Sequence, residues 1–407
     1  MHKIERLLQT LAPKGVEFRK LGEVCDFQKG KSITKKAVTF GKVPVISGGR
    51  QPAYYHNEAN RSGETIAISS SGVYAGYVSY WDIPVFLADS FSVSPKQKTL
   101  MPKYLFHYLT TQQDAIHATK STGGIPHVYS KDLQNFLIPI PPLEIQQEIV
   151  KILDAFTELN TELNTELKAR KKQYKYYQNM LLDFNDINQN RKDAKERLVH
   201  KTYPKRLKTL LHTLAPKGVE FRKLGEVLEY DQPNQYCVTS KEFDKSYPTP
   251  VLTAGKTFIL GYTNEKDNIY QASKNSPVII FDDFITATQW VDFPFKVKSS
   301  AMKILLPKDP TINIRFIFFY MQTIPYNISG EHTRQWISRY SKITIPIPPL
   351  EVQQEIVKIL DQFSILTTDL LAGIPAEIKA RKKQYEYYRE KLLTFKPLTP
   401  NKEVDKE

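Results

Sequence analysis

The sequence predicts a mixed α/β protein built twice. Two globular α/β domains are separated by two long antiparallel coiled-coil helices, and the whole is a pseudo-two-fold internal repeat. Three observations carry this reading. First, TLAPKGVEFRKLGEV at residues 10–24 recurs unchanged at 213–227. IPIPPLEIQQEIVKILD at 138–154 recurs at 345–361 with Val352 in place of Ile145, and KARKKQY at 168–174 recurs at 379–385. Second, the stretches between these blocks diverge, yet both hold short β-branched and aromatic runs broken by Gly, Asn and Ser, the pattern of strands and turns. Third, each divergent stretch ends in a Pro-rich stop followed by an apolar seam of helical spacing.

Taken in order, TIAISS, AGYVSY and PVFLAD read as strands of the first half, and MPKYLFHYLTTQQDAI (101–116) reads as a helix after a Pro-marked turn. In the second half SPVIIF and KVKSSAMKILL read as strands and TINIRFIFFYMQTI (311–324) as the helix. Proline is excluded from a helix interior but tolerated just before one, so 138–142 and 345–349 mark helix starts. The first long helix, 143–184, has a seam of Ile145, Ile149, Ile152, Phe156, Leu159, Leu163, Leu167, Tyr174, Tyr177 and Leu181. Its early spacings alternate 4 and 3, with a 4-4 step at Leu159, Leu163 and Leu167. At 1.5 Å per residue such a helix is about 60 Å long. The second, 350–396, repeats the seam with Val352, Ile356, Ile359, Phe363, Leu366 and Leu370, and carries four extra residues near 371–375, where Gly373 and Pro375 should kink or break it. Between the halves, 185–206 holds seven Lys or Arg against Asp186, Asp193 and Glu196 and reads as a basic flexible linker or exposed loop. The boundaries are therefore 1–142 and 207–349 for the domains, 143–184 and 350–396 for the helices, and 397–407 for a tail. Neither long helix can bury its seam alone, so the two should pack together, with a globular head at each end.

The chain has 407 residues, 41% hydrophobic and 25% charged, a globular composition. Lys and Arg number 57 against 43 Asp and Glu, a formal +14 that points to a polyanion, nucleic acid before anionic membrane. No run of about 18 apolar residues exists, so no transmembrane helix is expected. The opening MHKIERLLQTLAPKG is too polar for a signal peptide, and two distant cysteines, Cys25 and Cys237, make neither a disulfide framework nor a zinc site. These features fit a cytoplasmic protein of bacterial type, and would equally fit any reducing compartment.

The catalytic patterns fail one by one. Gly30-Lys31-Ser32 and Gly255-Lys256-Thr257 resemble the end of a phosphate-binding loop, but the glycine required five residues earlier is Cys25 in one and Pro250 in the other. There is no GxGxxG, and the Asp/Asn-Pro-Pro-aromatic tetrapeptide of amino-methyltransferases is absent. Glu166-Leu167-Lys168 and Glu377-Ile378-Lys379 match a nuclease fragment, yet i,i+2 residues on a helix do not converge on a metal. The eight histidines include no HExxH. The expectation is a chain without a catalytic or metal site.

Contacts to nucleic acid are better supported, because base edges are read by Arg, Lys, Asn and Gln while Ser, Thr and backbone amides hold phosphates. In the first domain the candidates are Lys29, Lys31, Arg50, Gln51, Ser71, Tyr74, Gly123, Gly124 and His127. In the second they are Lys256, Thr257, Tyr262, Asn264, Gln289, Trp290, Lys298, Arg334, Gln335 and Arg339. Singly, each could be an ordinary polar loop residue. As a set they gain from position, since Gly48-Gly49-Arg50 and Ala254-Gly255-Lys256 both follow a strand ending Pro-Val-Ile or Pro-Val-Leu.

The IPIPPLExQQEIVKILD block opening a long helix, the later KARKKQYxYY, and their repetition after two divergent domains resemble the DNA-specificity subunit of Type I restriction–modification systems. VLTAGKTFILGYTNE and RQWIS of the second domain resemble members of the same group. The resemblance implies a non-catalytic subunit whose target-recognition domains each read, from the major groove, one half of a two-part asymmetric duplex-DNA site. It further implies that the paired helices set the gap and dock two methyltransferase subunits, and that two motor-nuclease restriction subunits complete the cleaving complex. S-adenosylmethionine, ATP and magnesium would belong to those partners and no cofactor to this chain. The unequal helices put the symmetry of the spacer in question. Two other readings stay open: a self-sufficient DNA enzyme, against which the missing motifs count, and a coiled-coil scaffold with RNA- or protein-binding heads.

Overall fold

A computed structural model describes residues 2–96, 98–121, 124–254, 257–325, 334–368 and 373–398. The chain divides into two compact units, Met1–Asn164 with Glu377–Glu407, and Thr165–Ala376.

The first unit opens with α1 (His2–Leu11), β1 (Glu17–Lys20), the single turn α2 (Leu21–Val24) and β2 (Cys25–Lys29). The divergent block adds β3 (Val43–Ile46), β4 (Tyr54–His56), β5 (Thr65–Ser69), β6 (Val78–Trp81), β7 (Phe86–Leu87) and β8 (Ser90–Pro95). Then come α3 (Pro102–Thr111), α4 (Gln113–Ala118), α5 (Ser130–Leu133), β9 (Leu137–Ile140) and α6 (Leu143–Leu182), whose later turns belong to the second unit. Three small sheets result, in orders β2-β8-β5-β6, β4-β3-β7 and β1-β9. All five residues of β5 are buried, because this central strand is covered on both faces. Ile66, Ile68, Phe91 and Val93 form one core with Tyr104, Leu105 and Leu109 of α3 and with Ile145, Ile149 and Leu153 of α6. The start of α6 is thus buried more broadly than a seam requires, since it also closes the domain core.

The second unit continues through α7 (Ala194–His200), α8 (Lys205–Leu214), β10 (Glu220–Lys223), α9 (Leu224–Val227) and β11 (Leu228–Asp231). It goes on through β12 (Thr249–Leu252), β13 (Ile259–Thr263), β14 (Val278–Asp282), β15 (Thr288–Val291), β16 (Lys296–Val297) and β17 (Met302–Pro307). It closes with α10 (Ile314–Met321), α11 (Gln335–Ser338), β18 (Thr344–Ile347) and α12 (Leu350–Thr368), and α13 (Ile374–Leu393) lies mostly in the first unit. Its sheets have orders β11-β17-β14-β15, β13-β12-β16 and β10-β18. Strand for strand this is the topology of the first unit, down to one parallel pair in each: β3 with β7, and β12 with β16. The divergent blocks therefore carry one fold in two sequences.

The repeated blocks are the fasteners of that fold. Gln146 is fully buried: its Nε2 donates to the carbonyls of Pro141 (2.7 Å) and Thr99 (2.8 Å), and its Oε1 accepts from Met101 N (2.9 Å). Gln353 does the same with Pro348, Thr311 and Asn313. Asp154 binds Lys103 (2.7 Å) and His107 (3.0 Å) of α3, as Asp361 binds Arg315 of α10 (2.7 Å). Gly15 and Gly218 sit at φ +113 and +104, and a Cβ there would stand 2.6 Å from Pro397 O and 2.5 Å from Ile187 O. In the first unit Phe156 stacks on Tyr388 at 5.5 Å; in the second Tyr177 stacks on Phe363 at 5.1 Å.

Several expectations change in detail. The helix expected at 101–116 is broken at Gln112 into α3 and α4. That expected at 311–324 is confined to α10, whose N-terminus the Asn313 side chain caps. KVKSSAMKILL splits into β16 and β17, which join different sheets. The tract 185–206 is not a loose linker: it contains α7 and buries Ile187, Ala194, Leu198 and Tyr203, with Tyr203 OH donating to Asp183 O at 2.8 Å. Its charges hid an apolar face. The second long helix is two helices, α12 and α13; Leu370 and 371–372 of the expected break lie outside the described residues.

Candidate nucleic-acid interface

In the first unit the ends of β2, β3, β5 and β7 are tied to one another by backbone hydrogen bonds. Gly30 N donates to Ser90 O, Lys31 N to Leu87 O and Ala88 N to Ile46 O, each at 2.8 Å, and Ser70 N donates to Asp89 O at 3.0 Å. A Cβ on Gly30 would stand 2.6 Å from the carbonyls of Leu87 and Ala88, so only glycine lets this segment close, with Lys29 and Lys31 exposed on either side. Gly48 packs equally tightly against Ser71 O.

A second segment clasps this edge. Gly72 N donates to Pro126 O (3.0 Å) and Val128 N to Ser70 O (2.9 Å), with a bridge between Ser71 and His127. The Arg50 guanidinium lies over the rings of Tyr74 (4.8 Å) and Tyr77 (5.6 Å), His127 stacks on Tyr129 (6.0 Å), and Ser71 Oγ donates to the Asp89 carboxylate. Lys29, Lys31, Arg50, Ser71, Tyr74 and His127 are thereby brought to one edge, with Gln51 next to Arg50 in sequence and Gly124 on the segment leading into the clasp; Gly123 lies outside the described residues.

The second unit repeats the arrangement with other side chains. Lys298 N donates to Leu252 O at 2.7 Å, where the first unit has Ala88 and Ile46, and Asp283 N donates to Ala301 O, where it has Ser70 and Asp89. The clasp is α11: Gln335 N and Trp336 N donate to Asp283 O and Oδ1, both at 2.8 Å. Thr257, Lys298, Arg334 and Arg339 are exposed around this edge, and Lys298 Nζ lies 5.4 Å from the Phe243 ring. Lys256 lies outside the described residues.

Four expected residues, Trp290, Gln335, Tyr262 and Asn264, do not join this edge as readers. Strand alternation puts Gln289 and Trp290 on opposite faces of β15. Gln289 faces a small space shared with Thr253, Ala254 and Asp282, whereas Trp290 packs on Phe318 (5.7 Å) beneath the Arg315 guanidinium (4.5 Å). The Gln335 side chain is buried, and its backbone N–H serves the clasp. Tyr262 and Asn264 lie toward the far end of the β12–β13 hairpin, because Tyr262 pairs with Pro250 and Thr263 with Thr249, away from Leu252.

Sequence reasoning missed Asp283 and Lys303, which position the second clasp. Both are buried. Lys303 Nζ bonds Gln232 Oε1, lies 4.4 Å from the Tyr230 ring, and stands 3.8 Å from Asp283 Oδ2. Burial lowers the Lys303 pKa, and the Asp283 charge opposes that shift. The signal was present in IIFDD and MKILL, since a charge within a buried strand must have a partner.

Chemically, each edge presents cations, hydroxyls, amides and aromatic faces, a set suited to phosphates and base edges. Among the described residues no group of His, Cys, Asp and Glu could hold a metal ion, and no helix is long and apolar enough to cross a membrane. Burial pushes the Cys25 thiol up to about 12, which keeps it protonated and unreactive.

The family described as "Type I restriction modification DNA specificity domain" matches residues 13–172 and 216–380. The Type I restriction enzyme EcoR124I/EcoR124II specificity subunit of Escherichia coli is 52% identical over 187 residues, 44% of this chain and 45% of that one, so this match spans less than half of that relative. A putative type I restriction enzyme specificity subunit of Haemophilus influenzae is 29% identical across 96% of this chain and 98% of its own length. The crystal structure of a Type I restriction-modification system S subunit from M. genitalium shares the fold, with a TM-score of 0.63 and 18% identity over 93% of this chain and 96% of that chain. With two matching segments covering both of its units, this chain belongs to the Type I restriction–modification DNA-specificity family.

Proposed function

We propose that this chain is the non-catalytic recognition subunit of a Type I restriction–modification complex, and that each clasped loop edge reads one half of a two-part asymmetric site in duplex DNA. The observation that carries this is the paired edge. Divergent side chains occupy equivalent places on one backbone scaffold in both units, Lys298 where the other has Ala88 and α11 where the other has 126–128. One scaffold holding two residue sets is what reading two different half-sites requires. The excess of cations supplies affinity that does not depend on sequence, and base contacts add the discrimination.

In this reading α6, α12 and α13 set the gap between half-sites and dock two methyltransferase subunits, and two restriction subunits complete the cleaving assembly. S-adenosylmethionine, ATP and magnesium act on those partners, and the complex works in the cytoplasm. The test is single-molecule sequencing of DNA methylation in cells making this chain with its methyltransferase subunit. A two-part motif of fixed gap, lost when this chain is omitted, is expected. A stable complex that produces no motif would overturn the reading and favour a scaffold with RNA- or protein-binding heads.

A further inference from the structure

The tip between β5 and β6 is held firmly yet exposes an apolar side chain. Gly72 (φ +82) and Gly76 (φ +86) bound it. Gly76 N donates to Ser69 O (2.7 Å), Ala75 N to Gly72 O (3.1 Å) and Tyr77 N to Tyr74 O (2.9 Å). Val73 stands at this tip 81% exposed, and Ile125, on the clasping segment, is 66% exposed. The Ser71–His127 bridge is antiparallel and Gly72 N bonds Pro126 O, so Val73 and Ile125 are the next residues beyond this bonded pair on either side. A single exposed apolar residue needs no explanation. Two that adjoin the same bonded pair, near a guanidinium stacked on Tyr74, give this cationic edge an apolar component.

On the major-groove edge of duplex DNA the apolar group is the thymine C5 methyl, while every other distinguishing group is a hydrogen-bond donor or acceptor. We propose that Val73 and Ile125 read the C5 methyl of a thymine in the half-site recognised by the first domain. This rests on the DNA-recognition reading above. The second domain is built differently at this point: in its corresponding turn Phe284 and Ile285 are half-buried, with their N–H groups bonded to Asp282 Oδ1 at 2.9 and 3.1 Å.

The experiment uses the complex of this chain with its methyltransferase subunits, once methylation sequencing has supplied the motif. Each thymine of the first half-site, on either strand, is replaced in turn by deoxyuridine, which removes the methyl and leaves the pairing edge intact. One substitution should weaken binding about three- to tenfold, the effect of losing roughly one buried methyl contact. A Val73→Ser, Ile125→Ser variant, altered only at exposed positions, should bind the thymine and deoxyuridine duplexes equally. A first half-site without thymine, tolerance of deoxyuridine everywhere, or an undiminished loss in the variant would overturn the inference. Absence of any motif would overturn the recognition reading, and this inference with it.

Discussion

Arg50 is held in place by its neighbours, its guanidinium laid over Tyr74 and Tyr77 on an edge built by Gly30 and Gly48. A pre-oriented fork suits bidentate contact with guanine O6 and N7, worth about 1–3 kcal/mol. Arg50→Ala should therefore lower affinity by about ten- to a hundredfold and relax specificity at one position of the first half-site, measured on duplexes varied base by base. Uniform weakening across sequences, with a shallower salt slope, would show a phosphate contact instead. A second residue-scale prediction concerns the Glu265–Lys296 pair (2.8 Å). Burial by itself would raise the Glu265 carboxyl, but Lys296 and the Ser240 and Thr239 donors outweigh it and hold the group at about 2, below the ordinary 4.5. A lowered carboxylate contributes stability above its unfolded value, and that stability is lost as pH falls through the folded one. Unfolding measured between pH 4.5 and about 2 should lose stability in the parent chain, and Glu265→Gln should flatten that slope; equal slopes would refute the coupling. At this scale the sequence marked Arg50, Ser71 and His127, loop residues that the structure sets along one edge. It misread Trp290 and Gln335, whose surroundings come from α10 and Asp283, distant in the chain.

At the scale of elements, the repeated blocks were legible as helix starts, but their purpose was not. Gln146 and Gln353 look like ordinary polar helix residues, yet each is fully buried and joins the helix start to the loop before α3 or α10. Apolar periodicity carries no information about such a polar fastener. Of the expected break, the described part is the bend at Gly373, after which α13 begins at Ile374; 369–372 lie outside the described residues. If these helices set the gap, deleting 373–376 should change gap length or abolish assembly while leaving the bases read unaltered. Methylation sequencing of the deletion variant checks this, and an unchanged gap with new bases would sink the spacer assignment. The basic tract 185–206 shows the opposite error: charge counting read it as loose, whereas Leu198 and Tyr203 are buried within the second unit.

For the whole molecule, one fold in two sequences predicts modularity. Exchanging residues 25–137 for the corresponding block of another family member should change one half of the methylation motif and leave the other intact; a change in both halves would show that the domains do not read independently. The repetition, the strand and helix runs, the helix seams and the surplus of positive charge were all determined by the sequence itself, because they depend on residue type and spacing within short windows. Which loops meet was decided only by tertiary structure. β3 lies parallel to β7 and β5 pairs with β8, so the ends of strands tens of residues apart fall on one edge with Arg50, Ser71 and His127. Such pairings are set by long-range backbone registers, and by the alternation of side chains across a sheet that follows from them, neither of which a local pattern contains.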